Sequence, residues 1–194
     1  MTMALDAAKE GEDDRLLADY ANGGPAAAQA VTVRFLPLAY RFAARILANP
    51  TEAEDVAQDA MIRLFRAAPG WQPGAAQVST WLYRVTANLC TDRLRQRPVL
   101  PLVAAGAVAD KAATAEDRLM AADRAAALDR ALSDLPERQR LAVVLRHIEG
   151  LANPEIAAIM EIGIEAVESL IARGKRGLTE ALDGRRAELG FDHD

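Results

Sequence analysis

Apolar residues recur every three to four positions through most of the chain, the spacing of one buried helix face. A first helix is predicted from about Asp14 to Ala21, ending at Asn22-Gly23-Gly24-Pro25; the polar, acidic residues before Asp14 read as a frayed terminus. FLPLAYRFAARILA forms a longer helix, with Pro37 either near its start or kinking it. Thr51-Glu52-Ala53-Glu54 has the form of a capping box and opens a third helix that runs to about Ala67, before Pro69-Gly70. The loop GWQPGAAQV leads to Ser79 or Thr80, either of which can cap a fourth helix through STWLYRVTANLCTDRLRQR. Past Pro98 the pattern lapses into VLPLVAAGAVADKAATAEDR, which lacks bulky spaced apolar residues and reads as a linker. Periodicity resumes at Leu128, Leu132 and Leu135, breaks at Pro136, and restarts in ERQRLAVVLRHIEGL. Asn153-Pro154 then marks a helix start. PEIAAIM, a turn EIGI and the long EAVESLIARGKRGLTEAL complete a helix-turn-helix. The expected layout is a helical unit over 12–97, a linker over 98–121, a helix-turn-helix unit over 122–184 and a tail over 185–194.

Composition fits this picture. The 194 residues can bury one sizeable core or two small ones, and an apolar share of 51% with only 5% aromatics favours helix over strand. The fold class expected is all-α, two small helical domains joined by a flexible linker. One cysteine, Cys90, precludes an intrachain disulfide and a cysteine-rich zinc site. His147 and His193 join no acid-base or metal constellation, and no glycine loop cradles a phosphate, so neither an enzyme nor a cofactor is expected. The N-terminal residues lack the basic stretch and apolar core of an export signal, and Val99 to Ala109, broken by Pro101 and Gly106, is too short to span a bilayer. A soluble cytoplasmic protein without membrane insertion is the expectation.

Charge is less uniform than the net value of −5 suggests. Glu52, Glu54, Asp55 and Asp59 form an acidic block, whereas Arg84, Arg93, Arg95 and Arg97 form a basic one. At about 100° per residue, Asp55, Gln58, Asp59 and Ile62 share one side of the third helix, opposite Val56, Ala57, Ala60, Met61 and Leu64. This is either a solvated face with a stray isoleucine or a partner surface with an apolar centre ringed by acids. On the fourth helix Arg84, Asn88, Thr91 and Arg95 make a polar stripe beside Trp81. Arginine suits phosphate or guanine, asparagine suits an adenine edge, and an aromatic can pack on an unstacked base. A solvated face and a core tryptophan account for the same residues. The last helix carries Ser169, Arg173, Lys175 and Arg176, the side chains a recognition helix would turn to DNA, together with Glu165 and Glu168, which would repel phosphate.

In this order the segments resemble bacterial sigma factors of the extracytoplasmic-function group. FLPLAYRFAARILANPTEAEDVAQDAMIRLFRA is similar to the family's regions 2.1 and 2.2. VSTWLYRVTANLCTDRLRQR is similar to regions 2.3 and 2.4 through its T-W-L-x-x-x-x-x-N-x-x-x-D-x-x-R pattern, and LPERQRLAVVLRHIEGLANPEIAAIMEIGIEAVESLIARGKRGL to region 4. The resemblance implies that Asp55, Gln58, Asp59 and Ile62 dock on the clamp coiled coil of core RNA polymerase. It implies that Trp81, Arg84, Asn88, Thr91 and Arg95 serve −10 recognition and strand opening, with the loop from Gly70 to Val78 holding an extruded base. Ser169, Arg173, Lys175 and Arg176 would lie at the −35 element of promoter DNA, and an anti-sigma factor would hold the protein inactive. Three positions depart from the family's pattern: Val78 stands for a usual phenylalanine, Glu168 for a frequent lysine, and Gly163 for a serine cap. A sigma-like decoy that occupies an anti-sigma factor and an ordinary helix-turn-helix regulator are the alternatives.

Overall fold

The computed structural model describes residues 2–96 and 125–183, with side chains from Gly11 onward. The linker expected over 98–121 and the tail over 185–194 lie outside these residues. The described residues form helices, turns and loops, without a strand. The chain divides into two compact units, residues 1–44 with 51–98 and residues 45–50 with 99–194.

Four helices build the first unit: α1 (Thr2–Ala21), α2 (Ala27–Leu47), α3 (Pro50–Ala67) and α4 (Val78–Gln96), with a 3₁₀ turn at Ala68–Gly70 after α3. Their apolar stripes meet in a core in which Leu17, Val31, Phe35, Phe42, Val56, Leu64 and Leu82 are fully buried. Ala53, Ala57 and Ala60 line the inner face of α3, and side chains this small allow close helix approach. Phe42 of α2 meets Tyr83 of α4 with ring centroids 5.3 Å apart, which gives the sparse aromatic content a packing role. One ion pair fastens α1 to α2. Asp13, buried, accepts from Arg34 Nε at 2.8 Å and from Nη2 at 3.2 Å, a fork-to-fork pair that raises the Arg34 pKa above its ordinary value.

Helix starts differ from the expectations in several places, the second helix beginning at Ala27, well before Phe35. The first helix begins at Thr2, so the acidic segment before Asp14 is helical rather than frayed. The third begins at Pro50, a residue suited to the first helical position because its missing N–H would have no intrahelical partner; Thr51 is therefore inside the helix and not its cap. The fourth begins at Val78, with the Gln77 carbonyl accepting from Trp81 N–H at 3.0 Å, which places Ser79 and Thr80 in the first turn. Pro37 sits in the interior of α2.

The second unit contains α5 (125–133), α6 (Glu137–Val143), α7 (Asn153–Met160) and α8 (Ile164–Asp183); a wider π turn, Val144–Ile148, continues α6. Leu132, Val144, Leu145, Ile156 and Val167 are fully buried at its centre. Arg140, buried, donates from Nη2 to the carbonyls of Ser133 (2.6 Å) and Leu135 (3.2 Å), closing the C-terminal end of α5 with a positive charge. Helix α8 lies close against α6 because Gly174 faces it, while Gly177 faces Leu135 in the turn before α6. A Cβ on Gly174 would stand 2.5 Å from Val143 Cγ2, and one on Gly177 2.7 Å from Leu135 Cδ2. The turn into α8 passes through Glu161 in the left-handed region (φ 54°), with Ile162 N–H bonding back to the Ala157 carbonyl at 3.1 Å. Asn153 is the first residue of α7 and not its cap: Glu155 reaches back to accept from Ala152 N–H at 2.9 Å, which frees the Asn153 amide for another contact.

Candidate functional site

Three exposed faces hold the residues singled out in the sequence. On α3, Asp55, Gln58, Asp59 and Ile62 lie along one side because they are spaced i, i+3, i+4 and i+7. Ile62 is 46% exposed, one of three large apolar side chains left so open among the described residues. Arg93 of α4 stands next to this face, 3.6 Å from Asp55 Oδ2 and 3.9 Å from Asp59 Oδ2. The acidic and basic blocks of the sequence thus meet at one point. All three side chains are a third or more exposed, so these long contacts orient the carboxylates more than they stabilise the fold.

On α4, Arg84, Asn88 and Arg95 are exposed and Thr91 half-buried along the outward stripe, while Leu82, Tyr83, Thr86, Ala87, Leu89 and Cys90 face the core. Thr91 Oγ1 donates to the Ala87 carbonyl at 2.9 Å. Trp81 is half-buried and meets Trp71 edge to face, with centroids 6.0 Å apart and planes at 89°. It is neither wholly core nor wholly free. Residues 72–77 between the two tryptophans are all exposed. Gln72-Pro73-Gly74-Ala75 forms a turn closed by Ala75 N–H to the Gln72 carbonyl (3.2 Å), with Gly74 at φ 77°, the arrangement for which proline and glycine at its two central positions are suited. Asp14 of α1 binds this loop through both oxygens: Oδ1 accepts from Trp71 Nε1 at 2.8 Å and Oδ2 from Gly74 N at 3.0 Å. The sequence reading named the loop from Gly70 to Val78, which holds Trp71, but not its partner Asp14. No local periodicity links two positions 57 residues apart, and the one available signal was a second tryptophan in a turn-rich loop.

On α8, Ser169, Arg173 and Arg176 share the face opposite the buried Val167 and Gly174, and Arg173 Nε donates to the Ser169 carbonyl at 3.2 Å. Lys175 is exposed but turned about 120° away from Ser169, so the four residues do not form one patch. Glu168 is exposed too, and its Oε1 accepts from Asn153 Nδ2 across the helix-turn-helix at 3.4 Å, a long contact that inclines the carboxylate towards α7. Asn153 Oδ1 is buried without a hydrogen-bond partner. Among the described residues no group of three His, Cys, Asp or Glu side chains could hold a metal ion, and no helix is long and apolar enough to cross a membrane.

A helix-turn-helix unit and a helical unit with an exposed isoleucine beside two aspartates define a two-unit all-α protein. The family model for sigma-70 region 2 matches residues 32–98, and that for sigma-70 region 4 matches residues 125–178. Over 159 residues the chain is 36% identical to the ECF RNA polymerase sigma factor SigE of Mycolicibacterium smegmatis, covering 77% of this chain and 59% of that longer relative. It is 34% identical over 176 residues to the ECF RNA polymerase sigma factor SigM of Mycobacterium tuberculosis, covering 89% of this chain and 86% of the relative. Among solved structures, CnrH in complex with the cytosolic domain of CnrY superposes with a TM-score of 0.64 at 26% identity, covering 89% of this chain and 97% of that one. The chain belongs to the sigma-70 family, in its group of ECF RNA polymerase sigma factors.

Proposed function

We infer that the protein is an alternative sigma factor of the cytoplasm that binds core RNA polymerase, directs it to promoter DNA, and is held inactive by an anti-sigma factor. The observation that carries this reading is the outward face of α3: an isoleucine 46% exposed beside Asp55, Gln58 and Asp59, on a helix whose other side is fully packed. An apolar centre inside a charged rim fits a complementary protein surface, with the rim setting partner choice and association rate. In this reading α3 docks on the polymerase clamp. Trp81, Arg84, Asn88, Thr91 and Arg95 with the 71–77 loop engage the −10 element, and Ser169, Arg173, Lys175 and Arg176 the −35 element. The protein acts by binding and supplies no catalytic group.

The carboxylates of Glu165 and Glu168 on an exposed recognition helix make DNA binding by the free protein weak. Core polymerase supplies the missing affinity. Run-off transcription with core polymerase, with and without the protein, tests the reading: specific transcripts should depend on the protein, Asn88→Ala should impair opening at −10, and Arg173→Ala should weaken −35 binding. No transcripts from a protein that still captures an anti-sigma factor would instead establish a decoy. Tight specific binding to duplex DNA without polymerase would establish an ordinary helix-turn-helix regulator.

A further inference from the structure

We propose that Asp14 of α1 is a positioning residue that presets the 71–77 loop for capture of an unstacked promoter base, an inference that rests on the promoter-recognition reading above. Residues 72–77 are exposed throughout, so burial of side chains does not order them. The local sequence provides a Pro-Gly turn, but a turn fixes only its own four residues. Asp14 does what the turn cannot. Its two oxygens accept from the indole N–H at the loop's start (2.8 Å) and from the backbone N–H of Gly74 at the turn (3.0 Å), tying both points to α1 with charge-assisted hydrogen bonds. Fixing the Trp71 ring also fixes its edge contact with Trp81 in the first turn of α4. One carboxylate therefore couples the loop, the tryptophan pair and the start of the polar stripe at Arg84 and Asn88. Asp14 lies outside residues 32–98, the stretch matched by the region 2 family model. A loop held in its binding conformation forfeits less conformational entropy when a base enters, so loss of Asp14 should weaken capture of single-stranded DNA more than it weakens the fold.

The test uses holoenzyme assembled from core polymerase and the full chain, with a promoter selected by the wild-type holoenzyme from a random duplex library. Asp14→Ala, Asp14→Asn and Trp71→Phe are compared in three measurements: competition for core polymerase, binding of a duplex −35 fragment, and binding of a single-stranded oligonucleotide carrying the non-template −10 sequence. Asp14→Ala should lower oligonucleotide affinity on the order of tenfold, the scale of one hydrogen bond to a charged group, and leave the other two measurements unchanged. Asp14→Asn keeps one good acceptor and should recover part of that loss. Trp71→Phe retains an aromatic edge and deletes the N–H, so it gives a smaller loss in the same direction and tests the idea even where Asp14→Ala does not fold. Wild-type oligonucleotide affinity in Asp14→Ala and Trp71→Phe would overturn the proposal, as would a loss shared equally by core binding. A wild-type holoenzyme that selects no promoter would bring down the sigma-factor reading itself, before any variant is compared.

Discussion

Replacing Gly174 by alanine adds one methyl group where α8 presses on α6, and the structure allows its cost to be worked out. The new Cβ would stand 2.5 Å from Val143 Cγ2, 3.2 Å from the Gln139 carbonyl oxygen and 3.4 Å from Gln139 Cβ. Ordinary carbon contacts lie at about 3.5–4.0 Å, so the first is short by about 1 Å or more. Val143 cannot swing aside easily, because it is 2% exposed and β-branched within a helix, where one rotamer dominates. The Gln139 oxygen is backbone. Overpacking of this kind costs about 1–3 kcal/mol, whereas alanine in place of glycine inside a helix stabilises by about 1 kcal/mol. The net expectation is a loss of about 1 kcal/mol, with α8 displaced from α6 and the spacing of Ser169, Arg173 and Arg176 against DNA disturbed. Gly177→Ala should be milder. Its Cβ meets Leu135 Cδ2 at 2.7 Å, the end of a side chain that can rotate. Urea unfolding of the full chain, paired with binding of a duplex −35 fragment by holoenzyme, reads both effects. A Gly174→Ala protein as stable as wild type, or one less affected than Gly177→Ala, would refute the argument that close backbone approach sets α8 on α6.

Three further outcomes are expected. Ile62→Arg, or Asp55→Arg at the rim, should weaken core polymerase binding by about 2 kcal/mol or more while leaving helicity unchanged, as measured by competition binding and circular dichroism; wild-type affinity in both would remove α3 from the docking surface. Gly163→Ser supplies a side-chain acceptor at the start of α8, where a Cβ meets nothing within 4 Å, and should stabilise by a few tenths of a kcal/mol in urea titration. Burial raises the Asp129 pKa above its ordinary value of 3.8, so the folded protein holds that proton more tightly than the unfolded chain, and stability is lost as pH rises from 3.8 through the folded value. Asp129→Asn should therefore be the more stable protein at pH 7, and its advantage should shrink towards pH 4; thermal melts at the two pH values check the sign.

The sequence by itself determined the features that depend on local repetition. The stripe of Asp55, Gln58, Asp59 and Ile62 could be read because a helix brings i, i+3, i+4 and i+7 together whatever it packs against. The face of Ser169, Arg173 and Arg176 was legible for the same reason, and the helix-turn-helix because Asn153-Pro154 and the EIGI turn punctuate two periodic segments. Helix starts were less secure. A capping box at Thr51 and a proline at Pro50 compete within two residues, and acidic residues before Asp14 have no apolar spacing to reveal the helix they form. Tertiary structure alone decided the contacts between helices. It brought Arg93 between Asp55 and Asp59, inclined Glu168 towards Asn153, and set Gly174 against α6 and Gly177 against Leu135. It joined Asp14 to Trp71 across 57 residues and to Gly74 across 60. Periodicity tells which face of a helix turns inward, but the rotation and distance at which two helices pack follow from how their side chains interlock, and that relation is not written in either helix alone.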